Sequence, residues 1–154
     1  MLIPGRLLSM SDGIRCMLLR GGTSKGAYFL RDELPTNPSE RDEILLQVMG
    51  SPDGRQIDGI GGAHPLTSTV ALVGRCDEAR ADVEYLFLQL GVNKSTVSDQ
   101  QNCGNLLAGV APFAIERGLV EATDTPASVR VLMLNTDSVA TASCQVANGQ
   151  PIYQ

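Results

Sequence analysis

The chain has 154 residues, 43% of them hydrophobic and 19% charged, which describes a globular protein with a core of its own rather than a disordered tract. Its 17 acidic against 12 basic side chains leave a net charge of −5, the wrong balance for a general nucleic-acid binder, although a local basic pocket for a small anion stays open. No apolar run is long enough for a helical membrane span.

The opening "MLIPGRLLSMSDG" (1–13) has one arginine and a short apolar patch, without the apolar region and cleavage site of a signal peptide. It reads as a flexible lead-in, with Met10 as an alternative start, to a cytoplasmic protein. Residues 14–154 read as a single domain. "IRCMLL" (14–19) has the composition of a buried strand, "RGGTSKG" (20–26) is a glycine-rich turn, and "AYFLRDEL" (27–34) resumes as a second strand. "LPTNPSERDEILLQVMG" then predicts an amphipathic helix. Ser39 is its expected N-cap, with Asp42 three residues on; Ile44, Leu45 and Val48 form the apolar stripe, and Gly50 ends it.

Residues 51–68 are rich in glycine and proline and predict a long irregular segment of the kind that carries function. "STVALVGR" (68–75) and "ADVEYLFLQLGV" (81–92) predict strands, the second with Val83, Tyr85, Phe87 and Gln89 on one face. "LLAGVAPFAIERG" (106–118) is apolar nearly all round, which predicts one buried helix, kinked at Pro112 and ended by Gly118. "ASVRVLMLNTDS" and "VATASCQV" close the chain as two strands joined near 135–138. The order predicts an α+β domain in which a mixed or antiparallel sheet curls around one central apolar helix.

The four cysteines, Cys16, Cys76, Cys103 and Cys144, form no CxxC pair and have no metal-ligand spacing. His64, the single histidine, has no second ligand nearby, so no metal site is expected. In a reducing compartment the cysteines are free thiols.

Three stretches could carry chemistry. In "NCGN" (102–105), Cys103 stands where a helix begins, where free N–H groups favour a thiolate or a bound carboxylate. Asn102 as a plain cap and Cys103 as packing account for the same four residues slightly better. "RGGTSKG" combines glycines, hydroxyls and two cations as an anion nest would, and is equally a solvated hairpin turn; it lacks the Walker order. "IDGIGGAHPLTST" (57–69) brings Asp58, His64, Thr67 and Ser68 into a glycine-rich loop that could orient a substrate or simply turn the chain.

Taken together, "RGGTSKG", "GSPD…QIDGIGGAHPLTS", "ADVEYLF" and "NCGN" resemble the PrpF-type proteins, in this order and spacing, from about Ile14 to the end of the chain. That family includes 2-methylaconitate cis–trans isomerases and 4-oxalomesaconate tautomerases, and "RGGTSKGAYFL" and "IDGIGGAHPLTS" are most similar to the tautomerase branch. The resemblance implies a diaminopimelate-epimerase-like lobe, one of two that flank a cleft. It implies no metal, no organic cofactor, and a small unsaturated di- or tricarboxylate as substrate. It implies Cys103 as proton-transfer residue, and a substrate surface made by Arg20, Gly22, Thr23, Ser24, Lys25, Thr67, Ser68, Asn102, Gly104 and Asn105. The family's second proton-transfer residue is a lysine; its place is taken by Thr69, so either Lys25 or His64 substitutes or the chain is a carboxylate-binding lobe with impaired catalysis. The second lobe is also missing from these 154 residues, so a completing lobe or a second copy is expected as partner, and neither nucleic acid nor membrane.

Overall fold

A computed structural model describes residues 13–153; the expected lead-in lies, apart from Gly13, outside the described residues. Strand β1 (Met17–Gly21) turns into β2 (Ser24–Leu30) through Gly22 and Thr23 alone, because Gly21 already pairs with Ser24. Gly22 takes φ +54°, the left-handed backbone that a right-twisting two-residue hairpin demands. The predicted seven-residue turn is therefore mostly strand. β2 stops at Leu30, four residues before the predicted end, in a 3-10 turn over Arg31–Glu33.

Helix α1 (Pro38–Met49) is capped by Asn37, not by Ser39. The Asn37 Oδ1 accepts from the amides of Ser39 and Glu40, and Pro38, which has no N–H to satisfy, fills the first position. At the other end Gly50 adopts φ 83° and terminates the helix as its sequence predicts. The segment 51–68 is irregular as expected, with one 3-10 turn over Pro65–Thr67.

β3 (Thr69–Arg75) and β4 (Val83–Leu90) follow, with a short β5 (Val97–Ser98) on β4. The apolar segment after Cys103 is not one kinked helix. It divides into α2 (Gly104–Leu107) and α3 (Val110–Glu116), separated at Ala108 and Gly109 by tighter i→i−3 bonds to Asn105 and Leu106. Pro112 lies in the first turn of α3, where its missing N–H forfeits no helical bond, so it starts a helix instead of bending one. Gly118, at φ +69°, follows the end of α3 as predicted. β6 (Ala127–Met133), β7 (Ser138–Cys144) and a small hairpin of β8 (Val146–Ala147) and β9 (Gln150–Pro151) complete the chain.

The sheet order is β1-β2-β3-β4-β6-β7, with β2/β3 and β4/β6 parallel and the remaining pairs antiparallel. This is the expected α+β architecture with a mixed sheet. Alternation along the central strands gives it two apolar faces. Tyr28, Ala71, Val73, Tyr85 and Phe87 pack with α2 and α3 on one face. Ala27, Phe29, Val70, Leu72 and Leu88 pack with Leu45 and Met49 of α1 on the other, a second layer beyond the single central helix of the expectation. Each fully buried large side chain in these layers contributes about 1.5–3 kcal/mol of burial free energy. Among the described residues no helix is long and apolar enough to cross a membrane.

Candidate active site

Three pieces of chain meet at the leading ends of the parallel strands β2 and β3. The first is the β1–β2 hairpin, the second the start of α2, the third the entry into β3. Their approach is close. A methyl group added at Gly21 would fall 1.8 Å from the Asn105 carbonyl oxygen, and one at Gly26 would fall 2.5 Å from Leu106 Cδ2 and 3.0 Å from Thr69 Oγ1. The Asn105 side chain spans the junction, its Nδ2 donating to Thr23 Oγ1 at 3.0 Å.

Cys103 occupies the N-cap position of α2 and is half-buried against the core. Its thiol faces the buried Ser24 hydroxyl, with Sγ to Oγ 3.9 Å. α2 is a single turn, so its macrodipole is far smaller than that of the long helix predicted. Asn102, Gly104 and Asn105 are exposed around it, and the Asn102 amide rests on Met133 Sδ at 3.6 Å.

The structure brings Cys103, Thr23, Ser24 and Asn105 together, with Gly22 between them. Thr69 faces the same side, beneath Gly26, but is only 1% exposed, and its hydroxyl donates to the Lys25 carbonyl at 3.0 Å. Arg20 and Lys25 are directly paired across the hairpin. Alternation places both on the face of Ala27 and Phe29, opposite Ser24 and Cys103, so the two cations do not converge on the thiol. His64 is exposed, and its Nδ1 accepts from the Leu66 amide at 3.0 Å. Asp58 is exposed as well.

Thr67 and Ser68 belong to a different network. Its hub is Gln56, 1% exposed and held at φ 47°. Gln56 Oε1 accepts from Ser68 Oγ at 3.1 Å and from the Ala63 amide at 2.8 Å, while Nε2 donates to Ser51 Oγ at 3.1 Å. Ser68 Oγ also reaches the His64 carbonyl, and Thr67 Oγ1 does the same at 3.1 Å. The glycine-rich segment is thus folded around one amide side chain, with Gly61 packed so closely that a methyl there would lie 2.2 Å from Gln56 Oε1.

Sequence reasoning missed Gln56 and two tyrosines. Tyr28 and Tyr85 are fully buried beneath α2; their hydroxyls donate to the Leu106 carbonyl at 2.6 Å and to the Cys103 carbonyl at 3.3 Å. Burial first, then the neighbouring Cys103, pushes both phenols well above their ordinary range. The available signal was chemical type: tyrosine where phenylalanine would fill a core strand implies a partner for the hydroxyl.

Against known proteins, the family model described as "PrpF protein" matches residues 12–154. A (4E)-oxalomesaconate Delta-isomerase from Novosphingobium sp. (strain KA1) is 56% identical over 142 residues, covering 92% of this chain and 40% of the relative. A 4-oxalomesaconate tautomerase from Pseudomonas putida is 56% identical over 140 residues, covering 91% and 39%. The crystal structure of a methylitaconate-delta-isomerase superposes with TM-score 0.86 at 40% identity, covering 90% of this chain and 36% of that one. The chain therefore spans about 40% of the length of the relatives it matches, and the fold class anticipated from its motifs is the one the methylitaconate-delta-isomerase shares with it.

Proposed function

Because this chain belongs to the PrpF protein family, we propose that it is one lobe of an isomerase that shifts a proton, and with it a double bond, within an unsaturated di- or tricarboxylate. An oxalomesaconate-type acid is the favoured substrate, on the strength of the two relatives at 56% identity. In this scheme Cys103 as thiolate takes a proton from a carbon beside a carbonyl. The C–H electron pair moves into the conjugated system and leaves a dienolate, which is reprotonated at another carbon. The oxidation state of the substrate does not change, so the reaction calls for no redox cofactor. The observation that carries this scheme is the placement of the Cys103 thiol beside Ser24, at a junction lined by Thr23 and Asn105. Those hydroxyl and amide groups, with the amides of Gly104 and Asn105, are the donors available to a substrate carboxylate. Cytoplasmic residence, in keeping with free thiols, and completion by a second lobe or a second copy belong to the same proposal.

One observation favours a second reading, a carboxylate-binding lobe with impaired catalysis. Thr69 stands where the resembling family places its second proton-transfer lysine, and its buried hydroxyl is committed to the Lys25 carbonyl. Neither substitute is bonded to the thiol: Lys25 lies on the opposite face and His64 is bound to its own loop.

The test assays the 154-residue chain alone and fused to the carboxy-terminal lobe of the Novosphingobium relative, with oxalomesaconate and 2-methylaconitate offered separately. Turnover by the fusion that disappears in Cys103→Ala supports the isomerase. A fusion that is inert until Thr69→Lys is introduced supports the impaired lobe. Full turnover with Cys103→Ala would remove the thiol from the mechanism.

A further inference from the structure

The turn that carries Cys103 is too short to hold itself. α2 has four residues, and helices of that length are unstable in water without support. The support comes from beneath. Tyr85 of β4 donates to the carbonyl of Cys103, the residue at the start of the turn, and Tyr28 of β2 donates to the carbonyl of Leu106, near its end. Both rings are fully buried. Glycines clear the approach on three sides: Gly21 against the Asn105 carbonyl, Gly26 against Leu106, and Gly109 against the Tyr28 hydroxyl, where a methyl would lie 2.5 Å from the oxygen. Phenylalanine would fill the same core volume, with the Tyr28 ring already packed in a tilted arrangement on Phe113 at 5.8 Å between centroids. The two hydroxyls thus add something that packing alone does not require.

We propose that Tyr28 and Tyr85 are positioning residues for Cys103: their hydroxyls fix the turn to the sheet, so that the sheet and not the helix sets where the thiol lies against Ser24. This deepens the acid/base role given to Cys103 and rests on it for its functional meaning. Among the described residues, the titratable groups that face the thiol are these same two tyrosines, one from β2 and one from β4, and both remain neutral donors over the neutral pH range. Ser24, the thiol's own hydrogen-bond partner, does not titrate. Arg20 and Lys25 lie across the sheet.

The test reads the thiol without turnover, so it stands apart from the fate of the isomerase proposal. The 154-residue chain is alkylated with iodoacetamide across a range of pH, and modification at Cys103 is quantified by peptide mass spectrometry, with exposed Cys16 as internal reference. In Tyr85→Phe and Tyr28→Phe the rate of Cys103 modification relative to Cys16 is expected to change by about threefold or more as the thiol leaves its hydroxyl and amide neighbours. The Cys16 profile is expected to stay in place. Hydrogen exchange across residues 102–109 is expected to speed up in the same variants. A Cys103 profile that superposes on the wild type in a folded Tyr85→Phe chain would overturn the proposal, whatever happens to global stability. If Tyr28→Phe does not fold, Tyr85→Phe decides alone. A Tyr85→Phe chain that does not fold would also count against it, because the hydroxyl would then be an element of the fold.

Discussion

Gly21 and Asn105 are in contact through backbone alone: a methyl group at Gly21 would lie 1.8 Å from the Asn105 carbonyl oxygen. The β1–β2 hairpin and the Cys103 turn are consequently one unit, and Asn105 adds a side-chain bond to Thr23. Gly21→Ala must push the two apart. The expected cost is about 1–3 kcal/mol, the usual range for overpacking, together with altered alkylation of Cys103. Gly54→Ala, where a methyl meets nothing within 4 Å, is the control and is expected to change stability by no more than about 0.5 kcal/mol. Urea denaturation of the two variants checks this; equal midpoints would show that the hairpin and the turn are not packed as described.

Gln56 holds the glycine-rich segment from inside, joining Ser51, Ala63 and Ser68 through one amide. Gln56→Leu keeps much of the volume and removes all three bonds. It leaves the Ala63 amide, part-buried in this bond, short of a partner at a cost of about 1–3 kcal/mol where water does not reach it, while the Ser51 hydroxyl keeps the Gly91 carbonyl. Faster hydrogen exchange over residues 56–68, with α1 and β6 unchanged, is the expected pattern. Uniform acceleration through the whole chain would instead place Gln56 in the global core.

Local chemistry was the legible part of this fold. Gly50 and Gly118 end their helices as glycines in the left-handed region do, and the β-branched and aromatic runs of β3, β4 and β6 form strands. What failed was local competition and long-range contact. Asn37 beats Ser39 to the cap because Pro38 already supplies a helix-ready first residue. The helix after Cys103 breaks at Ala108 and Gly109, where the hydroxyl of Tyr28, from a distant strand, packs against Gly109 and bonds the Leu106 carbonyl. The candidate site divides in the same way. "NCGN" and "RGGTSKG" are visible as motifs, but strand alternation, which sends Lys25 and Arg20 to the face opposite Ser24, becomes visible only once the hairpin register is known. Gln56 stands inside the quoted "QIDGIGGAHPLTS", but nothing in the motif marks it as the hub of the loop.

Arg75 binds just past the end of α3. Its guanidinium donates to the Gly118 carbonyl at 2.9 Å and to the Leu119 carbonyl at 3.0 Å, tying β3 to the turn that follows the helix. Arg75→Ala is expected to cost about 1 kcal/mol, since each bond lies at the surface. Arg75→Lys recovers less than half of that, because an ammonium cannot present two donors in the guanidinium geometry. The urea midpoints of the three proteins should fall in the order wild type, Lys, Ala. A lysine variant as stable as the wild type would reduce Arg75 to a point charge near the helix end.

Asp82 gives the fold a pH dependence with a definite sign. Its carboxylate accepts from the Arg130 guanidinium at 2.8 Å and from the Arg130 backbone amide at 2.8 Å, and the guanidinium bond first, then the amide, holds its pKa below the ordinary carboxylate value. A carboxyl whose folded pKa lies below its unfolded one releases its proton more readily when folded. Its contribution is therefore complete above the unfolded value, about 3.9, and is lost as pH falls through the lower folded value. Asp82→Asn removes that contribution. The gap in urea midpoint between wild type and Asp82→Asn is expected to be constant near pH 6 and to close progressively below about pH 4. Because the pair is partly exposed, added salt should narrow the gap at pH 6. A gap that persists unchanged at pH 2.5 would mean that Asp82 acts through the shape of its backbone bonds and not through its charge.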